Sequence, residues 1–185
     1  MAGELRKIVS GGQTGVDRAA LDWALASVVS CGGWCPLGRW SEDGPIDARY
    51  PLRETPGADP AQRTEWNIRD SDGTLIVTLA RRMSGGTLLT ADLARRLARP
   101  LLHLVKADSP TAEQAESLRQ FIGQREIRVL NVAGPRESEE PGVGEFVAGL
   151  LEVALGRAGG RGAAHLTLHN PSSEIVMWSP TRGST

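Results

Sequence analysis

The chain has 185 residues, a formal net charge of -1, 40% hydrophobic and 23% charged residues, and two cysteines. A chain of this length buries roughly 70% of the surface its unfolded form exposes, so it folds without a disulfide or metal staple. The composition excludes a disordered, collagen-like or disulfide-framework protein and lacks the basic footprint of a nucleic-acid binder. The first strand pattern is Leu5 to Val9, which ends at Ser10 and opens into Gly11-Gly12-Gln13-Thr14-Gly15. Val16, Ala19, Ala20, Trp23, Ala24 and Ser27 then recur at helical spacing. Gly32 to Pro60 is rich in Gly, Pro, Trp and Arg and reads as one long loop, with a short strand near Trp34 and another near Tyr50 to Leu52. Thr64 to Arg69 reads as a helix packed beneath that loop.

The second half alternates regularly. Thr74 to Leu79, Leu101 to Val105 and Ile127 to Val132 are continuous apolar runs bounded by turn formers, the pattern of strands buried on both faces. Between and after them, Leu88, Ala91, Leu93, Ala94 and Leu97, then Ala112, Ala115, Leu118 and Ile122, then Val143, Phe146, Val147, Leu150 and Leu151 form helical stripes. Alternation of this kind predicts an α/β fold, a Rossmann-like parallel sheet with helices on both faces, over residues 1–156. Gly156 to Gly162 reads as a flexible linker, and residues 157–185 as a linker followed by a tail or a hairpin arm. Met1 to Ser10 lacks the apolar run of a signal peptide, and the longest uncharged stretch, Trp23 to Gly38, is too short to span a bilayer. The expected location is the cytoplasm, without a membrane partner. Cys31 and Cys35 have no second pair and the three histidines no matching spacing, so the expectation is reduced thiols and no metal site.

Three turns sit where predicted strands end. Ser10 to Arg18 and Ser84 to Thr90 both follow a strand and open a helix, where unpaired N–H groups attract anions and glycine lets a ligand approach. Asn131 to Arg136 follows the last strand. Thr14 and Asp17 have the spacing of a capping box, which assigns Asp17 to the helix rather than to a ligand. The glycine spacing departs from Gly-x-Gly-x-x-Gly, and neither lysine stands in a Walker A context, which excludes P-loop nucleotide hydrolysis. Of the 21 basic residues 19 are arginine, whose planar fork suits oxyanions. The candidate ligand contacts are Gly11, Gly12, Gln13 and Thr14 in the first turn, Gly85, Gly86 and Thr87 in the second, and Asn131 in the third. Arg18, Arg39 and Arg136 are candidate oxyanion partners, and Trp40 a candidate stacking face.

Ile8 to Trp23 with its Gly-Gly-Gln-Thr-Gly-Val-Asp-Arg core, Gly33 to Asp43, Asp70 to Val77, Gly85 to Thr90 and Leu130 to Arg136 together resemble the molybdenum carrier family, a Rossmann-like group related to the lysine-decarboxylase-like phosphoribohydrolases. The resemblance implies a homo-oligomer that binds molybdenum cofactor, a phosphorylated pterin whose dithiolene holds the metal. The related hydrolases carry Pro-Gly-Gly-x-Gly-Thr-x-x-Glu; here Met83 to Thr90 lacks the proline, contracts the glycine spacing and has Thr90 in place of the glutamate. A hydroxyl does not stabilise a departing ribosyl cation as a carboxylate does. The expectation is therefore a carrier with no catalytic residue. Two alternatives stay open: a nucleotide or nucleoside-phosphate N-glycosidic hydrolase using Asp17, Glu42, Asp43 or Asp92, and a nucleotide-sensing module.

Overall fold

The structure is a computed structural model that describes residues 5–156. The linker and the tail or hairpin arm expected at 157–185 lie outside the described residues. Six strands form one parallel sheet: β1 (Lys7–Val9), β2 (Ser30–Cys35), β5 (Leu52–Glu54), β6 (Gly73–Thr78), β7 (Leu101–Val105) and β8 (Val129–Ala133), in the order β5-β2-β1-β8-β6-β7. The fold is α/β and Rossmann-like. Two-residue strands β3 (Trp40–Ser41) and β4 (Gly44–Pro45) pair separately as a small antiparallel hairpin.

The helices are α1 (Val16–Ala26), α2 (Pro60–Arg69), α3 (Gly85–Arg96), α4 (Thr111–Gln124) and α5 (Val143–Leu155). Helices α1, α4 and α5 pack together on one face of the sheet, and α2 pairs with α3. The first group carries the main core. Val16, Ala20, Leu118, Leu150 and Leu151 are fully buried against Ile8, Leu75, Val77, Leu130 and Val132 in one cluster. The second layer is thinner: Ile68, Leu93 and Ala94 form a separate small cluster. Its remaining buried groups include Thr64, Asn67, Thr87, Thr90 and Asn131, which are polar. The sheet is thus dry on one side and partly polar on the other, and a polar interior persists only where its groups find partners or a ligand.

The long loop expected at 32–60 is more ordered than its composition implies. Ser30 to Cys35 forms a full six-residue strand despite Gly32 and Gly33, because pairing with β1 on one side and β5 on the other supplies what β propensity does not. Gly33 has φ +136°, and a Cβ there would lie 2.2 Å from the Ser10 carbonyl oxygen. The next residue is held by Asn67, whose Oδ1 accepts the Trp34 N–H at 2.7 Å and whose Nδ2 donates to the Trp34 carbonyl at 2.9 Å. This places α2 on β2. The Trp34 indole then meets Trp66 edge to face at 4.7 Å and donates to Asp70 at 2.8 Å. Gly33→Ala is expected to lower the unfolding free energy by about 2 kcal/mol or more, through the forbidden φ and the clash with Ser10. Urea denaturation of the two proteins measures it.

Candidate functional site

The three turns singled out in the sequence meet at one place. At the carboxyl ends of β1, β6 and β8 lies a small cavity, part of it open to solvent. Its walls include Gly11 and Gln13 from the first turn, Gly86 and Thr87 from the second, Asn131 and Arg136 from the third, and Arg63, Thr64 and Asn67 from α2. Gly12, Thr14 and Gly85 belong to these turns without lining the cavity itself.

The first turn spends much of its hydrogen-bonding capacity on the protein. The Gln13 N–H donates to Asp17 Oδ2 at 3.3 Å, and the Thr14 N–H to Gln13 Oε1 at 3.0 Å. Helix α1 begins at an N-cap of Gly15 with no side-chain cap, so the Thr14–Asp17 capping box of the sequence reading does not form. The Thr14 hydroxyl turns instead to Glu42. Asp17, assigned to the helix by its spacing, lines the cavity and pairs with Arg63 at 2.8 Å. Arg63 reaches it by crossing Gly11, where a Cβ would stand 1.5 Å from Arg63 Nη1. Only glycine permits that crossing.

The β3–β4 hairpin is clamped over this turn. Gln13 Oε1 also accepts the Glu42 N–H at 3.0 Å, and the Glu42 carboxylate receives the hydroxyls of Thr14 and Ser138. Those two hydroxyls hold the Glu42 carboxyl below its usual range, Ser138 contributing most. Arg18 anchors the other end of the hairpin. Its guanidinium donates to Asp43, to Ser41 Oγ at 3.1 Å and to the Gly12 carbonyl at 3.2 Å.

The helix starts differ in what they leave free. Glu137 accepts the Gly142 and Gly144 N–H groups at the head of α5, Asp59 caps α2, and the Val16 N–H of α1 donates to the Pro135 carbonyl. Helix α3 follows Ser84, which makes no side-chain cap. Its Thr87 and Leu88 amides return to the Ser84 carbonyl, while those of Gly85 and Gly86 have no partner among the described residues. Added bulk at Gly86 would meet nothing within 4 Å, so this helix start opens on free space. The Thr87 hydroxyl, on a side chain with only 4% of the residue exposed, is likewise unpartnered among the described residues and borders the cavity. So is Gln13 Nε2, whose orientation follows from the two N–H groups that its Oε1 accepts. Free donors therefore gather here.

Three further expected contacts, beyond Gly12, Thr14 and Gly85, lie outside the cavity lining. The Arg39 guanidinium, expected as an oxyanion partner, donates to the carbonyls of Ile46, Leu52, Asp47 and Tyr50 at 2.8–3.1 Å and holds the β2–β5 crossover in shape. Arg18, expected in the same role, is the hairpin anchor. Trp40 stands 56% exposed on β3. Conversely, Arg63, Thr64 and Asn67 were not singled out in the sequence, although they form a polar i, i+1, i+4 stripe on an otherwise short helix. Cys35 is fully buried and Cys31 half-buried, neither lines the cavity, and burial pushes both thiols up. Among the described residues no group of three or more His, Cys, Asp and Glu is placed to hold a metal ion, and no helix is long and apolar enough to cross a membrane.

Comparison with known proteins agrees with this architecture. A family model described as the circularly permutated YpsA SLOG family matches residues 8–155. The chain belongs to that family. Its structure is also similar to the crystal structure of a protein named "Putative molybdenum carrier protein" from Syntrophus aciditrophicus SB, with 40% sequence identity over 84% of this chain and 98% of that one, and a TM-score of 0.82. No curated protein matches. The permutation of this SLOG chain is visible in the sheet. Counted as a circle from β6, the order β5-β2-β1-β8-β6-β7 becomes 2-1-3-4-5-6, a doubly wound order whose switch point falls between β6 and β8. The cavity lies at that switch, between the turns that leave β8 and β6.

The hairpin anchor of this SLOG protein has a definite pH dependence. Arg18, with help from Ser41, holds the Asp43 carboxyl down to about 2, below its ordinary 3.8. A lowered folded value means that the anchor's stabilisation is complete above about pH 4 and disappears as the pH falls through about 2. Because Asp43 is half exposed, the effect is small. Urea midpoints of the wild type and D43N are expected to differ near neutral pH and to converge toward about pH 2.

Proposed function

We propose that the protein binds and carries a phosphorylated heterocycle at the carboxyl edge of its sheet, with molybdenum cofactor as the specific cargo. The observation that carries this reading is the uncapped start of α3 beside the free Thr87 hydroxyl. A helix start with unpaired N–H groups and the positive end of its dipole favours an anion, and glycine at both leading positions admits one closely. Gly85, Gly86 and Thr87 hold the phosphate, and Arg136 and Gln13 Nε2 close around it from the neighbouring turns. Gly11, Gly12 and Thr14 shape the first turn, and Asn131 forms part of the floor. Arg18 and Arg39 act as scaffold, and Trp40, exposed on the hairpin and outside the cavity lining, takes no part in this reading.

The similarity to a protein named as a molybdenum carrier supports the choice of cargo. The cavity's chemistry fits the organic part of that molecule, whose own dithiolene holds the metal, because both cysteines lie away from the lining. Carriage is favoured over glycosidic cleavage by Thr90. It stands where the related hydrolases carry their glutamate, and its hydroxyl donates to the Gly86 carbonyl at 2.9 Å. On this reading the protein acts in the cytoplasm as a homo-oligomer, and light scattering of the full chain is the measurement that tests its assembly.

Mass spectrometry of the molecule that co-purifies with native protein identifies the cargo, and a phosphorylated pterin is expected. Steady release of free base from nucleoside monophosphates would overturn carriage. Replacing Arg136 by alanine is expected to raise the Kd for the phosphorylated ligand about 10- to 100-fold, and T87V about 5-fold. Isothermal titration measures both.

A further inference from the structure

The geometry points to Asp17 as the residue that reads the uncharged part of the bound molecule, accepting an N–H or O–H from it with a carboxylate oxygen open to the cavity. This inference rests on the phosphate-binding reading above and adds the class of group that the rest of the ligand must carry. Asp17 is 4% exposed and lines the cavity from the first turn of α1. Its Oδ2 is fully employed, taking the Gln13 N–H at 3.3 Å and Arg63 Nη1 at 2.8 Å. Its Oδ1 is different. Among the described residues nothing donates to it, yet it is not sealed in, since the enclosed polar atoms without partners are Arg18 Nε, Arg63 Nε and Gln114 Oε1. Since Asp17 lines the cavity and Oδ2 is taken, Oδ1 is the oxygen left to face it.

An ionised carboxylate accepts hydrogen bonds and donates none. Removed from bulk water without a donor, such an oxygen costs free energy, and a ligand that brings one recovers it. A phosphate oxygen is the wrong partner, being itself an acceptor of like charge. The fitting groups are the amino and ring N–H of an aminopyrimidinone, or the hydroxyls of a sugar. Arg63 makes the arrangement compatible with the neighbouring anion site. It neutralises Asp17 through Oδ2 alone, so the pair does not repel a phosphate at α3 while Oδ1 keeps its acceptor capacity. The cavity therefore sets the free donors at the start of α3 against a buried acceptor at Asp17, with the Glu139 carboxylate at its rim.

The test is isothermal titration of full-length wild type, D17N and R63Q with inorganic phosphate, ribose 5-phosphate and guanosine 5′-monophosphate. Guanine carries an aminopyrimidinone edge; ribose 5-phosphate carries hydroxyls only. Wild type is expected to bind at least one of the two organic phosphates more tightly than inorganic phosphate, and which one identifies the donor. D17N is expected to weaken that ligand about 10- to 100-fold while leaving inorganic phosphate within about 3-fold. R63Q keeps the carboxylate and is expected to retain the preference, which separates reading of the ligand from mere loss of the ion pair. Equal weakening of all three probes by D17N, or unchanged preference in D17N, would overturn the inference and leave phosphate binding standing. Failure of every probe to bind the wild type would overturn the phosphate-binding reading, and this one with it.

Discussion

Every α-helix begins with amide groups that its own backbone cannot satisfy, and the disposal of those groups organises this molecule. Helix α5 receives the Glu137 carboxylate, α2 receives Asp59, and α1 is tied by its Val16 amide to the Pro135 carbonyl. Helices α3 and α4 both leave their leading pair of amides without a partner among the described residues, but of the two only α3 opens on the cavity, beside an unpartnered hydroxyl. A ligand anion completes what the protein leaves undone there. At α2 and α5 carboxylates take leading donors, and at α1 the first amide is tied to a carbonyl.

The two layers of the sheet divide the labour. One face is filled by α1, α4 and α5 with aliphatic side chains, and its burial supplies the greater part of the hydrophobic driving force. The other carries only a small apolar cluster and a set of buried threonine and asparagine side chains around α2 and α3. Several of these satisfy one another or the backbone. Thr64 donates to the Pro60 carbonyl, Asn131 Nδ2 to Thr74 Oγ1, and Thr90 to the Gly86 carbonyl. The cavity is the part of that polar layer whose remaining groups, Asp17 Oδ1, Gln13 Nε2 and Thr87 Oγ1, are left for a guest.

Position along the chain conceals this arrangement because the domain is permuted. The turn after β1 and the turn after β8 are neighbours across one pair of strands, yet more than a hundred residues separate them in sequence. Glu42 joins them through Thr14 on one side and Ser138 on the other, so the small hairpin ties both turns to each other. A change in the hairpin is therefore felt at the cavity without any hairpin side chain lining it.

Periodicity was enough to predict β6, β7, β8 and the stripes of α1, α4 and α5, because burying apolar groups at period two or 3.6 leaves a pattern within a few consecutive residues. The glycine turns were legible for the same reason: strand, turn and helix start are local. The roles of single polar side chains were not. Arg39, Arg18 and Arg63 are the same residue type in equally polar surroundings, yet four backbone carbonyls claim the first, the hairpin the second and the cavity the third. Asp17 has the spacing of a helix cap and instead pairs across Gly11 with a residue on α2. Such assignments depend on which segments the parallel sheet brings side by side. Sequence alone determined the strongly periodic elements and the glycine turns, while tertiary packing decided the full length of β2, the β3–β4 hairpin and which donors and acceptors were left free, because a hydrogen bond is consumed by the nearest partner in space rather than in the chain.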